Sequence, residues 1–308
     1  MCRLAEVSRA SYYRHLIEAA PDESKMAVRQ AIQEIALAHH RRYGYRRVTK
    51  DLHNRGMIIN HKRVLPIMRE DNLLAIRHRK YILTTDSQHD CQVYLNLAAR
   101  MTVTGVNQLW VADLTYIRLR TEFVYLAVVI DRFSRTAVGW ALDRTLAARI
   151  TIAAVRQAIT ERQPPPGLVH HSDRGIQYAC ADYVEALETS GMIPSMSRPA
   201  NPYDNAFCES FMKTLKQEEI YCNHYRDFEE LSGHLEEFIE NYYNRQRLHS
   251  ALGYRTPEEF ERDTLAAAAS SGETNEPAMM KFFTPPHPQA SVPGSPSAPE
   301  TELQRGTS

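Results

Sequence analysis

The spacing of apolar residues divides the chain into a helical first part and an extended second part. Up to about residue 105 the apolar positions follow the helical period. They predict three helices at 22–40, 47–55 and 60–71, the last one opened by Asn60 as its N-cap. Pro66 lies inside the third helix, where it removes a backbone donor, so we expect a kink or an early break there.

The first twenty residues predict part of another DNA-binding unit. Residues 4–17 have the pattern of the end of one helix, a turn at Val7-Ser8 and a second helix, as in the recognition half of a helix-turn-helix. Few residues precede them, so we expect a partial helix-turn-helix at 1–20. A small basic helical DNA-binding module is then predicted at 21–82, followed by a linker at 83–104.

From Asn107 the pattern becomes extended and then alternates. Three strands are predicted at 109–119, 123–131 and 136–142, with apolar residues on both faces, which indicates a sheet covered on both sides. The elements expected next are a helix at 146–162, a strand at 167–173, a helix at 179–189, a strand at 193–197 and helices at 205–220 and 228–244. This order predicts an α/β fold of the ribonuclease H-like type, a mixed sheet flanked by helices, over 105–265.

The amino-acid composition restricts the class of protein, its location and its cysteine chemistry. Hydrophobic residues make up 43% of the 308 positions, which is ordinary for globular domains, whereas the stretch 266–308 holds seven of the sixteen prolines and is expected to be disordered. There is no run of eighteen apolar residues and no signal-peptide pattern, so we expect a cytoplasmic protein without a membrane partner. The five scattered cysteines include no Cys-x-x-Cys pair, which argues against a disulfide framework and a zinc site.

Charge is balanced overall but unevenly distributed. The chain has 37 basic and 37 acidic residues, yet 39–80 holds twelve Lys or Arg against three acids, while 218–240 holds eight acids against one Arg. Such runs often mark only a solvated face, and that explanation stays open here. The alternative is a basic, DNA-binding segment coupled to an acidic one.

Three carboxylates are candidates for chemistry. Asp113 lies in an apolar strand, where an isolated charge is costly and needs a basic partner, a hydrogen-bonded structural role or a metal ion. Asp173 ends a predicted strand, where ligands gather in α/β sheets. Glu209 shares a helix face with Lys213 and could equally form a surface ion pair. Thirty-five residues separate Asp173 from Glu209, but chance alone supplies about one such pair in a chain of this composition.

Several sequence blocks resemble the second-reading-frame (OrfB) transposases of the IS3 insertion-sequence family, which belong to the DDE transposase and retroviral integrase superfamily. The likeness covers roughly residues 4 to 262. The blocks are residues 107–117, 125–135 with Gly139-Trp140, 171–178, 195–198 with 201–211, and 242–257, together with 43–47, 60–64 and 68–70 upstream. Two features depart from the pattern, namely Pro66, where a basic residue is expected, and the long proline-rich tail.

The resemblance implies a metal-dependent enzyme that cleaves DNA at the ends of its element and transfers the 3′-hydroxyl. Asp113, Asp173 and Glu209 would bind two Mg²⁺ ions, for which Mn²⁺ may substitute, with Asp113 as the bridge. His170 and His171 are expected to be structural or to contact DNA rather than to serve as ligands or bases. The residues expected to bind DNA are Arg46, Arg47, Lys62, Arg63, Arg174, Lys213 and Lys216.

The partners implied are DNA, as terminal inverted repeats and as target, a second copy of the chain for end pairing, and the upstream-frame protein OrfA or an OrfAB fusion. Two other functions remain compatible with the residues alone. One is a DNA-binding regulator with a silent catalytic domain, and the other is a ribonuclease H-like nuclease. Activity on RNA–DNA hybrids would distinguish the nuclease from a transposase.

Overall fold

The computed structural model of the chain describes residues 23–75, 94–120, 122–198 and 205–271. The predicted partial helix-turn-helix at 1–20, the first part of the predicted linker and the tail from 272 onward lie outside the described residues. The last part of the linker does lie within them. Its Leu97 amide donates to Ser195 Oγ at 3.0 Å, which ties this segment to the sheet domain.

Three helices form the module before the sheet. They are α1 (Glu23–Ala38), α2 (Tyr45–Asn54) and α3 (His61–Glu70), each within a few residues of its predicted bounds. The side chain of Asn60 accepts from the Lys62 amide, as an N-cap does. Helix α3 continues through Pro66, so the expected early break is wrong. Fully buried side chains on both sides of the proline hold the helix together, among them Val64 and Met68.

A five-stranded sheet follows, with the order β3-β2-β1-β4-β5. Its strands are β1 (Leu109–Arg118), β2 (Phe123–Asp131), β3 (Ala137–Asp143), β4 (Val169–Ser172) and β5 (Ile193–Met196). The first three pair antiparallel, and β4 and β5 run parallel to β1. The mixed sheet of the predicted ribonuclease H-like fold is therefore confirmed.

Helices cover both faces of the sheet. One face carries α4 (Ala148–Arg162), the short α5 (Ile176–Ala179) and α6 (Ala181–Thr189), packed on Trp110 and Ala112 of β1. The other face carries α7 (Ala206–Leu215) and α8 (Phe228–Glu236), packed on Val111. Gly139 of β3 allows α4 to come close, because a Cβ at this position would lie 2.3 Å from the Ala154 carbonyl oxygen.

The two helices on the second face end in π-helical turns. Helix α7 continues as Lys216–Ile220, and helix α8 continues as Glu237–Gln246. The last described helix, α9 (Pro257–Ser271), extends past residue 266, where the sequence predicted a disordered tail to begin. Within the described residues, no helix is both long and apolar enough to cross a membrane.

The helical module is joined to the sheet domain through the π-helical turns. The Tyr43 hydroxyl donates to the Gln246 carbonyl at 3.1 Å and accepts from the Leu248 amide at 3.0 Å. Arg42 forms an ion pair with the buried Glu219. The basic segment predicted at 39–80 is thus in direct contact with the acidic segment that begins at residue 218, which explains part of the charge imbalance as a domain junction.

Candidate active site

Asp113 lies in the middle of the central strand β1, opposite Val128 of β2, with its side chain partly exposed. Burial, together with the negative charges of Asp173 and Glu209, raises the pKa of its carboxyl to about 7. A hydrogen bond from the Leu114 amide and the positive charge of Lys216 act in the opposite direction. Asp113 therefore lies within electrostatic range of both other acids.

Asp173 follows β4, the strand that runs parallel to β1. In the parallel register, Leu109 faces Val169 and Val111 faces His171. The last pair stands two residues before each acid, and the negative charge of Asp173 raises the pKa of Asp113, so the two carboxyls lie within electrostatic range of each other. The Asp173 Oδ1 accepts from the Gly175 amide at 2.8 Å. A Cβ at Gly175 would lie 3.0 Å from this oxygen, so a larger residue there would require the Asp173 carboxylate to shift by a few tenths of an ångström.

Glu209 lies in the first turn of α7 and is exposed. The helix buries Cys208, Phe211, Met212 and Leu215 against the sheet domain. Phe207 is partly buried, and the guanidinium groups of Arg132 and Arg135 lie over its ring at 5.0 and 5.1 Å. The charged face of the helix is left open, as predicted for Glu209 and Lys213.

Asn205 fixes the start of α7 to the central strand. It precedes the helix, but its side chain makes no capping hydrogen bond. Instead Nδ2 donates to the Ala112 carbonyl at 3.1 Å, one residue before Asp113. The sequence analysis did not assign it this role. The available signal was its spacing, because a residue four positions before Glu209 lies on the same helix face.

The three acids offer oxygen donors of the kind that divalent cations prefer. The raised pKa of Asp113 also fits a cation, since negative charge accumulates there without full compensation. The arrangement is nevertheless open: in the part of the chain that the structure describes, no three His, Cys, Asp or Glu side chains form a group that could hold a metal ion. The three acids would have to come closer together to complete such a group.

Sequence comparisons identify the family. Residues 103–202 and 190–257 match two integrase core domain profiles, and residues 23–81 match an HTH-like domain. The chain is 38% identical over 264 residues to the "Insertion element IS600 uncharacterized 31 kDa protein" of Shigella sonnei, with 84% of this chain and 97% of that protein covered. It is 35% identical over 271 residues to transposase InsF for insertion sequence IS3A of Escherichia coli K12, with 86% and 94% covered.

This chain belongs to the IS3-family insertion-sequence transposases. The transposase is also similar in structure to a chain of the simian T-cell lymphotropic virus intasome, with 16% identity, a TM-score of 0.43, and 75% of this chain and 74% of that chain covered. A second similar structure is the HTLV-2 integrase catalytic core domain in complex with magnesium, with 17% identity, a TM-score of 0.39, and 51% and 97% covered.

The two lysines of the transposase beyond Glu209 have different surroundings. Lys216 Nζ donates to Thr115 Oγ1 at 2.7 Å and lies 5.4 Å from the Tyr116 ring centroid. Burial lowers the pKa of this ammonium, although Asp113 raises it. Lys213 is exposed and forms no ion pair with the described residues. Only Lys213 is therefore open to a ligand without breaking a contact.

The other residues that are predicted to bind DNA also differ in their exposure and in their partners. Arg46, Lys62 and Arg63 are exposed on the helical module. Arg47 forms an ion pair with Glu218 at 3.2 Å, so its guanidinium takes part in the domain junction. Arg174 Nε donates to the Ser197 carbonyl at 2.8 Å and links the turn after β4 to the end of β5. Their contacts with DNA stay predictions.

His170 and His171 have structural surroundings, in line with the preferred interpretation of the sequence. His171 is buried, with Nδ1 2.9 Å from Ser195 Oγ and Nε2 3.1 Å from Ser197 Oγ. Burial lowers the pKa of His170 to about 3, which keeps the ring neutral beside the Tyr183 hydroxyl. These hydrogen bonds connect β4 to its neighbours and so fix the strand that carries Asp173.

Asp131 is a buried acid that sequence reasoning did not single out. Its Oδ1 accepts from the Phe133 and Ser134 amides, and its Oδ2 accepts from the Asn107 amide at 2.7 Å. Burial raises the pKa of this carboxyl, while the amides lower it. One carboxylate oxygen is used within the β2–β3 turn, and the other binds the segment just before β1. Asp131 is therefore a structural residue of the turn, and its signal in the sequence is an acid followed by Ser three positions later.

Proposed function

We propose that this transposase cuts DNA at the ends of its element and joins the freed 3′-hydroxyl to target DNA, with Asp113, Asp173 and Glu209 as its metal-binding acids. The observation that supports the proposal is electrostatic: the negative charges of Asp173 and Glu209 both raise the pKa of Asp113, and the strands before Asp173 and around Asp113 are parallel neighbours. Three carboxylates without His or Cys partners fit Mg²⁺ or Mn²⁺ better than zinc.

Asp113 has the central place in this proposal, because both other acids act on its carboxyl. When bound, two divalent ions would polarise the attacking oxygen and stabilise the leaving oxygen of an in-line phosphoryl transfer. The residues of the chain supply position and charge. Asn205 holds the start of α7 beside β1. Lys216 adds a positive charge close to Asp113 and limits the repulsion between the acids.

DNA recognition is assigned to two surfaces. The exposed side chains of Arg46, Lys62 and Arg63 on the helical module would hold the element end. Lys213, on the open face of α7, would hold phosphates next to Glu209. Because two element ends must be brought together, the active form would contain at least two catalytic cores, and we expect OrfA to contribute further end recognition.

The test is cleavage of labelled DNA that carries candidate element ends, in the presence of Mg²⁺ and with or without OrfA. Asp113→Asn should abolish cleavage and joining and leave end binding intact. Asp143→Asn is the matched control, because Asp143 ends β3 and is bound to Arg149, away from the acid group. Robust joining by Asp113→Asn would refute the metal-binding role, and cleavage confined to RNA–DNA hybrids would favour a nuclease instead.

A further inference from the structure

A groove of about 320 Å³ lies between the helical module and helix α7. We call it the basic groove. One wall is the loop between α1 and α2 with the start of α2, and the other is the open face of α7 and its π-helical turn. Its lining includes Arg41, Arg47, Ser210, Lys213, Gln217 and Arg247.

The basic groove begins beside the candidate active site. Ser210 follows Glu209 directly, and Ser210, Lys213 and Gln217 succeed one another along one face of the helix. With a rise of 1.5 Å per residue, Ser210 and Gln217 are separated by about 10 Å along the helix axis. That length corresponds to about three nucleotides of one DNA strand at 3.4 Å each.

The positive charge of the basic groove is only partly compensated. Its one carboxylate, Glu218, already binds both Arg47 and Arg247, at 3.2 and 2.7 Å. Lys213 and Arg41 form no ion pair with the described residues. Among the described residues, the Arg41 guanidinium donates to the backbone carbonyl oxygens of Asn72 and Leu74. The described lining of the groove therefore has a net positive charge, and the charges of Lys213 and Arg41 are not balanced by an acid within it.

The loop that forms one wall has an unusual backbone. His40 and Arg41 both have positive φ angles, 48° and 57°. Non-glycine residues adopt this conformation rarely, and such strain is concentrated at functional sites. Arg41 and Arg42 both line the groove, but Arg42 is paired with Glu219, whereas Arg41 forms no ion pair with the described residues. Arg41 is therefore the less compensated cation of this loop.

We propose that the basic groove binds the phosphate backbone of the DNA strand whose end lies at the three acids, through Arg41 and Lys213. The proposal rests on the proposed function and extends it, because it assigns the path of the DNA from the acids to the helical module. Phosphate contacts carry no base information, so binding in the groove is expected to be independent of sequence and sensitive to salt.

The native thiol of Cys222 provides a direct test. Cys222 is exposed and lines the groove, whereas Cys180 is partly exposed at the start of α6, on the opposite face of the sheet. The full chain is alkylated with a maleimide, with and without a DNA duplex of arbitrary sequence, and each cysteine is followed by peptide mass spectrometry. DNA should slow alkylation of Cys222 severalfold and leave Cys180 unchanged. Equal slowing of both, or no slowing of Cys222, would overturn the proposal.

Salt dependence tests the charges themselves. Each lost phosphate contact makes the negative slope of log affinity against log salt less steep by about 0.9. The ratio of wild-type affinity to Lys213→Ala affinity should therefore fall about 3.5-fold between roughly 50 and 200 mM salt. Gln217→Glu, which removes no cation, should weaken binding in the same way. Arg156→Ala, an exposed arginine on α4, is the matched control and should bind as the wild type does.

The outcomes separate this proposal from the proposed function. If Lys213→Ala and Gln217→Glu both keep the wild-type salt dependence of DNA affinity, DNA binding in the groove is rejected, even if the wild type cleaves element ends. Protection of Cys222 with reduced slopes, in a protein that cleaves no element end, would retain the groove and reject the proposed function.

Discussion

Asp113→Asn should make the folded protein more stable while it removes activity. The wild-type carboxyl has its pKa raised to about 7 by burial and by its two acidic neighbours, compared with an ordinary value of 3.8. At about 1.4 kcal/mol per pH unit this difference amounts to about 4 kcal/mol. Since Asp113 is partly exposed, we expect a gain of about 2 to 4 kcal/mol in the free energy of unfolding at pH 8 without divalent metal.

The pH dependence of this gain follows from the direction of the shift. A carboxyl with a raised folded pKa binds more protons when folded, so the wild type loses stability as pH rises from about 3.8 to about 7. The asparagine variant does not share this loss. Its advantage over the wild type should therefore be about 2 kcal/mol larger at pH 8 than at pH 5.

The assay is urea unfolding followed by tryptophan fluorescence, with EDTA present, for the wild type and two variants. Asp143→Asn is the control, because Arg149 lowers the pKa of Asp143 to about 2 and no gain is expected. Mg²⁺ added in place of EDTA should stabilise the wild type and not Asp113→Asn. An Asp113→Asn variant that is no more stable than the wild type at pH 8 would refute the reasoning.

Three further predictions concern packing. Asn205→Ala should lower the cleavage rate about tenfold or more, because the helix that carries Glu209 is then less firmly placed, and cleavage at the wild-type rate would contradict this. Arg42→Ala should lower the free energy of unfolding by about 2 kcal/mol, since the buried Glu219 carboxylate loses its arginine and keeps only Asn223, Tyr225 and His234 as partners. Arg226→Ala, at an exposed pair, should change it little, and equal urea midpoints for the two variants would contradict the buried role. Gly139→Ala should destabilise the protein by about 1 to 3 kcal/mol through overpacking. Gly233→Ala, in an open helix position, should stabilise it by up to about 1 kcal/mol. Thermal unfolding that shows a change of the same sign for both variants would be inconsistent with the packing.

The order of strands and helices could be predicted from the sequence. The strands next to Asp113 and Asp173 could be predicted as well. The extended pattern from Asn107 defined β1, and the apolar run before Asp173 defined a buried strand. These two strands pair in parallel, and the charge of Asp173 raises the pKa of Asp113. Glu209 was placed correctly on the open face of its helix, because the helical period separates it from the buried side chains.

Other features depend on contacts that a local pattern does not contain. Arg47 is a candidate DNA contact by its position in a basic segment, but its partner Glu218 lies 171 residues away. Lys216 has the helical spacing of a phosphate ligand, yet the π-helical turn that begins there directs it to Thr115. Pro66 leaves its helix intact because core side chains on both sides hold it. Tertiary packing decided each of these cases.

The most direct test of the three-acid site is to locate Mn²⁺ by anomalous diffraction in crystals of the transposase bound to a DNA end. The account predicts Mn²⁺ held by Asp113, Asp173 and Glu209. Ions bound only elsewhere, with none held by these three acids in the DNA complex, would contradict it.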